Sequence, residues 1–307
     1  MMACAEMHSK STNEPPVAAA WLADERVETI RSNGLRIVCR VWGSRSAPPL
    51  VLLHGLRGFS GTWRGLAAAL SSRYQLIAPD QRGRGDSDWD AECNYYTDAY
   101  LADLETLVAH FALDRFALLG HSMGGTTSYV YADKHPEKLT ALLIEDIAPG
   151  SSTGGAGAKR IVAEMAALPS GFSSWDAARE YWRARRPSVS ADALEQRVAE
   201  SLRLSPSGRI TWRYDAQGIA RTRLNPDPTR IVDLWPIVER LGVPTLIVHG
   251  AQSDFCPAAT VAEMCRRNSC LESIEIPQAG HYVHDDNPTA FTTQVTAFLG
   301  RHIPGNR

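Results

Sequence analysis

The chain has 307 residues, of which 44% are hydrophobic and 21% are charged, and its formal net charge is −2. This apolar content excludes a globally disordered chain. The near-neutral charge argues against a nucleic-acid-binding protein, and no apolar run reaches the roughly 18 residues that a membrane span needs. We therefore expect a soluble globular protein with one large α/β domain or about two domains of average size.

The opening segment, residues 1–20, lacks the basic start and apolar run of a signal peptide, so we expect a flexible tail on a cytoplasmic protein. No CxxC pair and no histidine cluster accompanies the six scattered cysteines, which predicts reduced thiols and no metal site. Cys39 and Cys256 lie in or beside strand-like segments and are predicted to be small core residues.

Strand-like and helical patterns alternate along most of the chain. Two β-branched segments, Arg26–Arg31 and Leu35–Trp42, flank a Ser-Asn-Gly turn and predict a β-hairpin. Continuous apolar runs, typical of strands buried on both faces, follow at Pro49–His54, Tyr74–Pro79, Arg115–Leu119, Leu139–Ile144, Val243–His249 and Leu271–Pro277. Helical patterns separate them, most clearly at Tyr100–Phe111. This alternation predicts an α/β fold with a mostly parallel central sheet and helices on both faces.

The alternation stops within residues 149–230, which begin with a glycine- and serine-rich segment and are rich in tryptophan, tyrosine and arginine. Helical patterns in this stretch cover Arg160–Leu168, Trp175–Arg185 and Ala191–Leu202. We interpret it as a helical cap over a pocket at the carboxyl ends of the strands, inserted into a core of residues 21–148 and 231–307. An ordinary helical subdomain is the alternative.

The most informative local motif is Gly-His-Ser-Met-Gly-Gly at Gly120–Gly125, between a predicted strand and a predicted helix. This pattern predicts a sharp turn that exposes the hydroxyl of Ser122, with glycines where side chains would collide with the neighbouring strand and helix. The start of the helix would offer backbone N–H groups to a developing oxyanion.

A serine nucleophile needs a base. Among the nine histidines, His281 is the best candidate, because it lies in a loop just past the final predicted strand and hence at the carboxyl edge of the sheet. His284, three residues further on, is the weaker competitor.

Taken together, the motifs resemble those of an α/β-hydrolase with a cap domain. They occur in the family's order across about 250 residues, at His54–Gly58 (HGLRG), Asp80–Ser87 (DQRGRGDS), Gly120–Gly125, Glu145–Pro149 (EDIAP), His249–Asp254 (HGAQSD) and Gly280–Pro288 (GHYVHDDNP). The resemblance implies that Ser122 is the nucleophile and His281 the general base. It also implies that the backbone N–H groups of Leu56 and Met123 form the oxyanion hole.

The acid of the triad is ambiguous, since in this family it follows either the sixth or the seventh strand of the sheet. Asp254 lies after the seventh strand, but one residue later than the usual spacing. Asp146 follows the sixth strand and resembles the relatives that use that earlier position. We favour Asp146 and keep Asp254 as the alternative.

A serine at this turn separates the chain from dehalogenase and epoxide-hydrolase relatives, which use a carboxylate there. The expected reaction is hydrolysis of a small-molecule carboxylic ester or lactone, including a bulky lactone such as a macrolide, without a cofactor. A carbon–carbon bond hydrolase, a perhydrolase and a non-catalytic ligand receptor are the alternatives. The residues expected to contact the substrate are Arg57, Trp182 and Tyr282.

Overall fold

The computed structural model describes residues 13–16, 22–151, 154–187 and 189–303. The strands are β1 (Arg26–Ser32), β2 (Leu35–Trp42), β3 (Pro49–Leu53), β4 (Gln75–Pro79), β5 (Phe116–His121), β6 (Leu139–Glu145), β7 (Leu202–Leu204), β8 (Ile210–Trp212), β9 (Thr245–Gly250) and β10 (Leu271–Ile276). The helices are α1 (Arg64–Leu70), α2 (Thr97–His110), α3 (Met123–Lys134), α4 (Gly155–Ala166), α5 (Trp175–Arg185), α6 (Ala191–Ser201), α7 (Ala216–Leu224), α8 (Trp235–Arg240), α9 (Ala258–Arg267), α10 (Val283–Asp286) and α11 (Pro288–His302). None of these helices is both long enough and apolar enough to cross a membrane.

Eight strands form one sheet in the order β1-β2-β4-β3-β5-β6-β9-β10. The β1–β2 and β2–β4 pairs are antiparallel, and all the other neighbours in this sheet are parallel. The predicted α/β class with a mostly parallel sheet is therefore confirmed. The predicted apolar runs of the central strands match the structure because a parallel strand covered on both faces is largely apolar. The edge strand β10 instead exposes Glu272, Ser273 and Glu275.

Each face of the sheet is covered by helices. Along β3, Leu50 and Leu52 point into one hydrophobic cluster with α1 and α11, while Val51 and Leu53 point into another with α2, α3 and α9. The second cluster also contains the free thiols of Cys39 and Cys256, as predicted for small core residues.

The stretch between β6 and α8 forms a separate layer, here called the insertion. It contains α4 to α7 and the two-stranded hairpin β7–β8, and its aromatic side chains pack into their own cluster with Met123 of α3. Sequence reasoning missed α7 and the hairpin, whose strands have three residues each and lack a continuous apolar run. The domain boundaries 21–148, 149–230 and 231–307 stay a prediction, and most of the tail predicted for residues 1–20 lies outside the described residues.

Candidate active site

Ser122 occupies a sharp turn between β5 and α3. Its backbone has φ 53° and ψ −115°, a conformation that residues other than glycine rarely adopt. Its N–H donates to the carbonyl of Glu145 at the end of β6, and its own carbonyl accepts from Thr126 in α3. The neighbouring strand and the following helix thus hold the turn in a strained backbone conformation. Such strained residues are common at functional sites.

The glycines around Ser122 permit this close approach. A Cβ atom on Gly120 would lie 2.3 Å from Ser128 Oγ, and one on Gly124 would lie 2.4 Å from the carbonyl oxygen of Leu53 in β3. Both distances are far below any van der Waals contact. Side chains at these positions would therefore collide with the helix and the strand, as predicted for the glycines of this motif.

The structure brings Ser122, His281 and Asp146 together at the carboxyl edge of the sheet. His281 Nε2 lies 2.9 Å from Ser122 Oγ, and His281 Nδ1 lies 2.7 Å from Asp146 Oδ2. Ser122 follows β5, Asp146 follows β6 and His281 follows β10. All three groups are buried, so the arrangement is a hydrogen-bonded chain from a hydroxyl to a carboxyl group through an imidazole.

Two further donors hold the carboxyl group of Asp146. Its Oδ1 accepts from the backbone N–H of Gly250 at 3.0 Å, and its Oδ2 accepts from Ser253 Oγ at 2.5 Å. Burial is the largest cause and raises the pKa of Asp146 to about 7, although these hydrogen bonds offset part of the rise. Together with the N–H of His281, they orient the carboxyl group toward the ring.

Asp254 lies elsewhere. Its carboxylate accepts two hydrogen bonds from Arg160 of α4, at 2.7 and 2.9 Å, and this pairing with Arg160 lowers its pKa. Of the two candidate acids, the structure places Asp146 and not Asp254 in hydrogen-bond contact with His281.

The ring of His281 is in an environment that disfavours protonation. Burial is the main cause of its lowered pKa, and the nearby positive charges of Arg160 and Arg186 act in the same direction. The ring also stacks on Phe255, with centroids 4.1 Å apart. A neutral imidazole that donates from Nδ1 to a carboxylate has a free lone pair on Nε2, which can accept the hydroxyl proton of Ser122.

Leu56 and Met123, the residues predicted for the oxyanion hole, both line the cavity at Ser122. Met123 is the first residue of α3, so its backbone N–H has no carbonyl partner one turn earlier in that helix. Two motif residues to which the sequence analysis assigned no role support the loop of Leu56. His54 Nε2 accepts from the backbone N–H of Gln81, and Arg84 Nε donates to the Leu56 carbonyl at 3.1 Å.

The competing histidine, His284, has different partners. Its Nδ1 lies 2.7 Å from Glu145, and its Nε2 lies 3.1 Å from Thr62 Oγ1. His121, Glu145 and His284 place potential metal-ligand atoms within 4.8 Å of one another. The ion-pair geometry between His284 and Glu145 and the hydrogen bond from His121 Nε2 to the His281 carbonyl already engage all three residues.

A cavity of about 150 Å³ opens beside Ser122. Its wall is largely apolar and combines core residues with residues of the insertion, among them Ala158, Ile161, Val162, Thr222 and Arg223. Of the three residues predicted to contact substrate, Tyr282 lines this cavity. Arg57 and Trp182 lie outside its lining: Arg57 is buried in an ion pair with Glu164, and Trp182 packs in the aromatic cluster of the insertion.

Comparison with known proteins agrees with this architecture. Residues 48–288 match the model of the alpha/beta hydrolase fold family. The 3-hydroxybutyrate-oligomer hydrolase of Cupriavidus necator is 31% identical over 267 residues, which cover 83% of this chain and 90% of that protein.

Two further matches, one in sequence and one in structure, are to proteins named as hydrolases of the same compound. The 2-(acetamidomethylene)succinate hydrolase of Mesorhizobium japonicum is 30% identical over 281 residues, which cover 92% of this chain and 98% of that protein. A crystal structure of E-2-(acetamidomethylene)succinate hydrolase superposes with a TM-score of 0.80 at 26% identity, over 90% of this chain and 99% of the other. These matches identify the chain as a hydrolase that belongs to the α/β-hydrolase fold family.

Proposed function

We propose that this hydrolase cleaves a carboxylic ester or lactone through an acyl-enzyme intermediate on Ser122. The observation that carries the proposal is the hydrogen-bonded chain Ser122–His281–Asp146, with distances of 2.9 and 2.7 Å between the bonded atoms. The first distance lies within the range for a nucleophile and its base, and the second lies within the range for the base and the group that orients it.

In the first half of the reaction, Ser122 Oγ attacks the carbonyl carbon of the substrate while its proton moves to His281 Nε2. The resulting oxyanion accepts from the backbone N–H groups of Leu56 and Met123. The bond to the leaving oxygen then breaks, and the imidazolium returns its proton to the departing alcohol. Asp146 stabilises the imidazolium and keeps the ring in the required orientation.

In the second half, His281 takes a proton from a water molecule as the water oxygen attacks the acyl carbon. Collapse of the second tetrahedral intermediate breaks the bond to Ser122 Oγ, which recovers its proton from His281. The products are a carboxylic acid and the regenerated hydroxyl group.

The size and lining of the cavity support a small or medium acyl group. A volume of about 150 Å³ is comparable to a protein cavity that holds benzene, and it favours such a group over a macrocycle. The lining includes apolar side chains of both the core and the insertion, for example Ile147, Ile161, Val232 and Phe255.

The test is a panel of 4-nitrophenyl esters, simple lactones and a macrolide, assayed with the wild type, Ser122→Ala and the matched control Ser207→Ala. Ser207 is an exposed serine in the turn of the β7–β8 hairpin. We expect Ser122→Ala to lose about 10³-fold or more in kcat and the control to keep its activity. Equal hydrolysis by the wild type and Ser122→Ala would contradict the proposal, and so would tight ligand binding without turnover, which is the behaviour of a receptor.

A further inference from the structure

The cavity beside Ser122 contains an arginine without a partner. Arg223, in the last turn of α7, lines the cavity and makes no hydrogen bond or ion pair within the described part of the chain. Arg230 lines the same cavity, but it is held by Asp98 and by the side-chain oxygen of Asn94. Among the described residues of the lining, these two arginines are the permanently charged ones, and none is a carboxylate.

A second arginine close to this wall also lacks a counter-ion. Arg84 is fully buried and donates to the carbonyls of Leu56 and Arg82 and to the hydroxyl of Tyr100. None of the described carboxylates forms an ion pair with it. By contrast, Arg82 two residues earlier is paired with both Asp103 and Asp90.

Two cations without carboxylate partners give this part of the cavity a positive potential. Arg223 is half-buried, and burial is the main cause that lowers its pKa, with the positive charge of Arg84 acting in the same direction. Buried charges in proteins are normally paired, because desolvation of an unpaired charge is costly. An anion in the cavity would supply the missing counter-charge.

We infer that Arg223 binds a carboxylate group of the substrate, so that the preferred substrates are esters that carry a carboxylate at one end and an apolar segment between it and the scissile bond. The single guanidinium of Arg223 can balance one negative charge on the substrate. Its planar arrangement of N–H groups can donate two parallel hydrogen bonds to the two oxygens of a carboxylate. The apolar lining accommodates the connecting segment. This inference rests on the proposed function, since it specifies the substrate class of the same site.

The first test measures hydrolysis of matched esters by titration of the released acid. One pair is monomethyl adipate and methyl hexanoate, which places the carboxylate on the acyl side. The other is 6-acetoxyhexanoate and hexyl acetate, which places it on the alcohol side. We expect the wild type to prefer the charged ester of at least one pair in kcat/KM, and we expect Arg223→Gln to reduce that preference by about 10- to 100-fold, the range for a lost hydrogen bond to a charged group.

Two variants check that the effect belongs to the side chain of Arg223. Arg221→Gln removes the same charge from an exposed position of α7 and should leave the preference unchanged. Arg223→Lys should recover part of it, because the charge stays while the fork is lost. Unchanged preference in Arg223→Gln, or an equal loss in Arg221→Gln, would overturn the inference.

The second test separates this inference from the proposed function. Calorimetric titration of Ser122→Ala, with and without Arg223→Gln, measures binding of the same four esters and needs no turnover. We expect the charged ester of the preferred pair to bind at least about tenfold more tightly than its neutral partner, and only when Arg223 is present. Equal affinity would overturn the inference even if Ser122-dependent hydrolysis is observed, whereas a charge-dependent affinity without any hydrolysis would overturn the proposed function alone.

Discussion

Asp146 Oδ2 lies 2.7 Å from His281 Nδ1, although the two residues are 135 positions apart in the chain. The contact exists because β6 and β10 both end at the same edge of the sheet, and because Gly250 and Ser253 after β9 hold the carboxylate in place. Asp254 lies in the same loop as Ser253 but is turned toward Arg160. The two aspartates should therefore respond very differently to substitution.

We expect Asp146→Asn to reduce kcat by about 10⁴-fold, because an amide in place of the carboxylate neither stabilises the imidazolium nor holds the required tautomer of His281. Asp254→Asn should change kcat by less than about tenfold, since the bond that it weakens is the one to Arg160. Steady-state kinetics of both variants on one ester show which aspartate is the acid of the triad. A larger loss in Asp254→Asn would assign the acid to that residue instead.

The pH profile of kcat/KM should show the effect of burial on His281. A general base must be neutral, so activity falls as the pH drops through the pKa of its protonated form. Because burial and nearby arginines lower the pKa of His281, the acid limb should lie below pH 6.5, the ordinary value for histidine. Rates measured between pH 4 and 9 in buffers of constant ionic strength test this prediction. An acid limb centred above pH 6.5 would contradict the lowered pKa of His281.

Gly124→Ala should disrupt the turn at Ser122. Its Cβ would lie 2.4 Å from the carbonyl oxygen of Leu53, and two backbone segments cannot separate without moving the N–H of Met123. We expect a loss of about 1–3 kcal/mol in the free energy of unfolding and a fall in kcat. Gly65→Ala is the matched control, because a Cβ there meets nothing within 4 Å and α1 should gain up to about 1 kcal/mol. Urea denaturation of both variants supplies the comparison.

The ion pair between Arg57 and Glu164 ties the loop after β3 to α4, and it is much less exposed than the pair between Arg301 and Glu272. Glu164→Gln leaves a buried guanidinium without its counter-charge, and we expect it to cost about 3 kcal/mol at pH 7. Glu272→Gln should cost less than about 1 kcal/mol. Denaturation curves that show equal costs would mean that the buried pair contributes no more than the exposed one.

The cost of Glu164→Gln should also depend on pH. The positive charges of Arg57 and Arg160 outweigh burial and lower the pKa of Glu164 below its ordinary value of 4.5. A lowered carboxyl pKa stabilises the folded state above the unfolded-state pKa, and this stabilisation is lost as the pH falls through the folded-state pKa. The difference in free energy of unfolding between the wild type and Glu164→Gln should therefore be constant near neutral pH and shrink below about 4.5. A difference that grows on acidification would contradict this assignment.

The central strands of the sheet were predictable because they are buried on both faces. The apolar run at Leu139–Ile144, for example, corresponds to β6 at Leu139–Glu145. The helices Trp175–Arg185 and Ala191–Ser201 of the insertion were also predicted almost to the residue. The β7–β8 hairpin was not, since strands of only three residues each are too short to give an apolar pattern.

The residues of the site could be predicted only from the order of the motifs along the chain. That order led to Ser122 and His281, but it left the choice between Asp146 and Asp254 open because both follow strands at the same edge of the sheet. Asp254 is turned away from His281 by its ion pair with Arg160 in the insertion. These two residues are 94 positions apart, so no local sequence pattern predicts the contact. The burial of Arg57 against Glu164, and the lack of a partner for Arg223 among the described residues, depend on similar long-range packing.

The most direct test of the central claim is to locate the residue that reacts with a serine-directed fluorophosphonate. Wild type, Ser122→Ala and Ser207→Ala are incubated with the reagent, digested and mapped by mass spectrometry, while residual esterase activity is followed in parallel. Our account predicts stoichiometric labelling of Ser122 with loss of activity in the wild type and Ser207→Ala, and no labelling of that peptide in Ser122→Ala. Labelling of a different residue, or full ester hydrolysis by protein whose Ser122 is completely labelled, would contradict it.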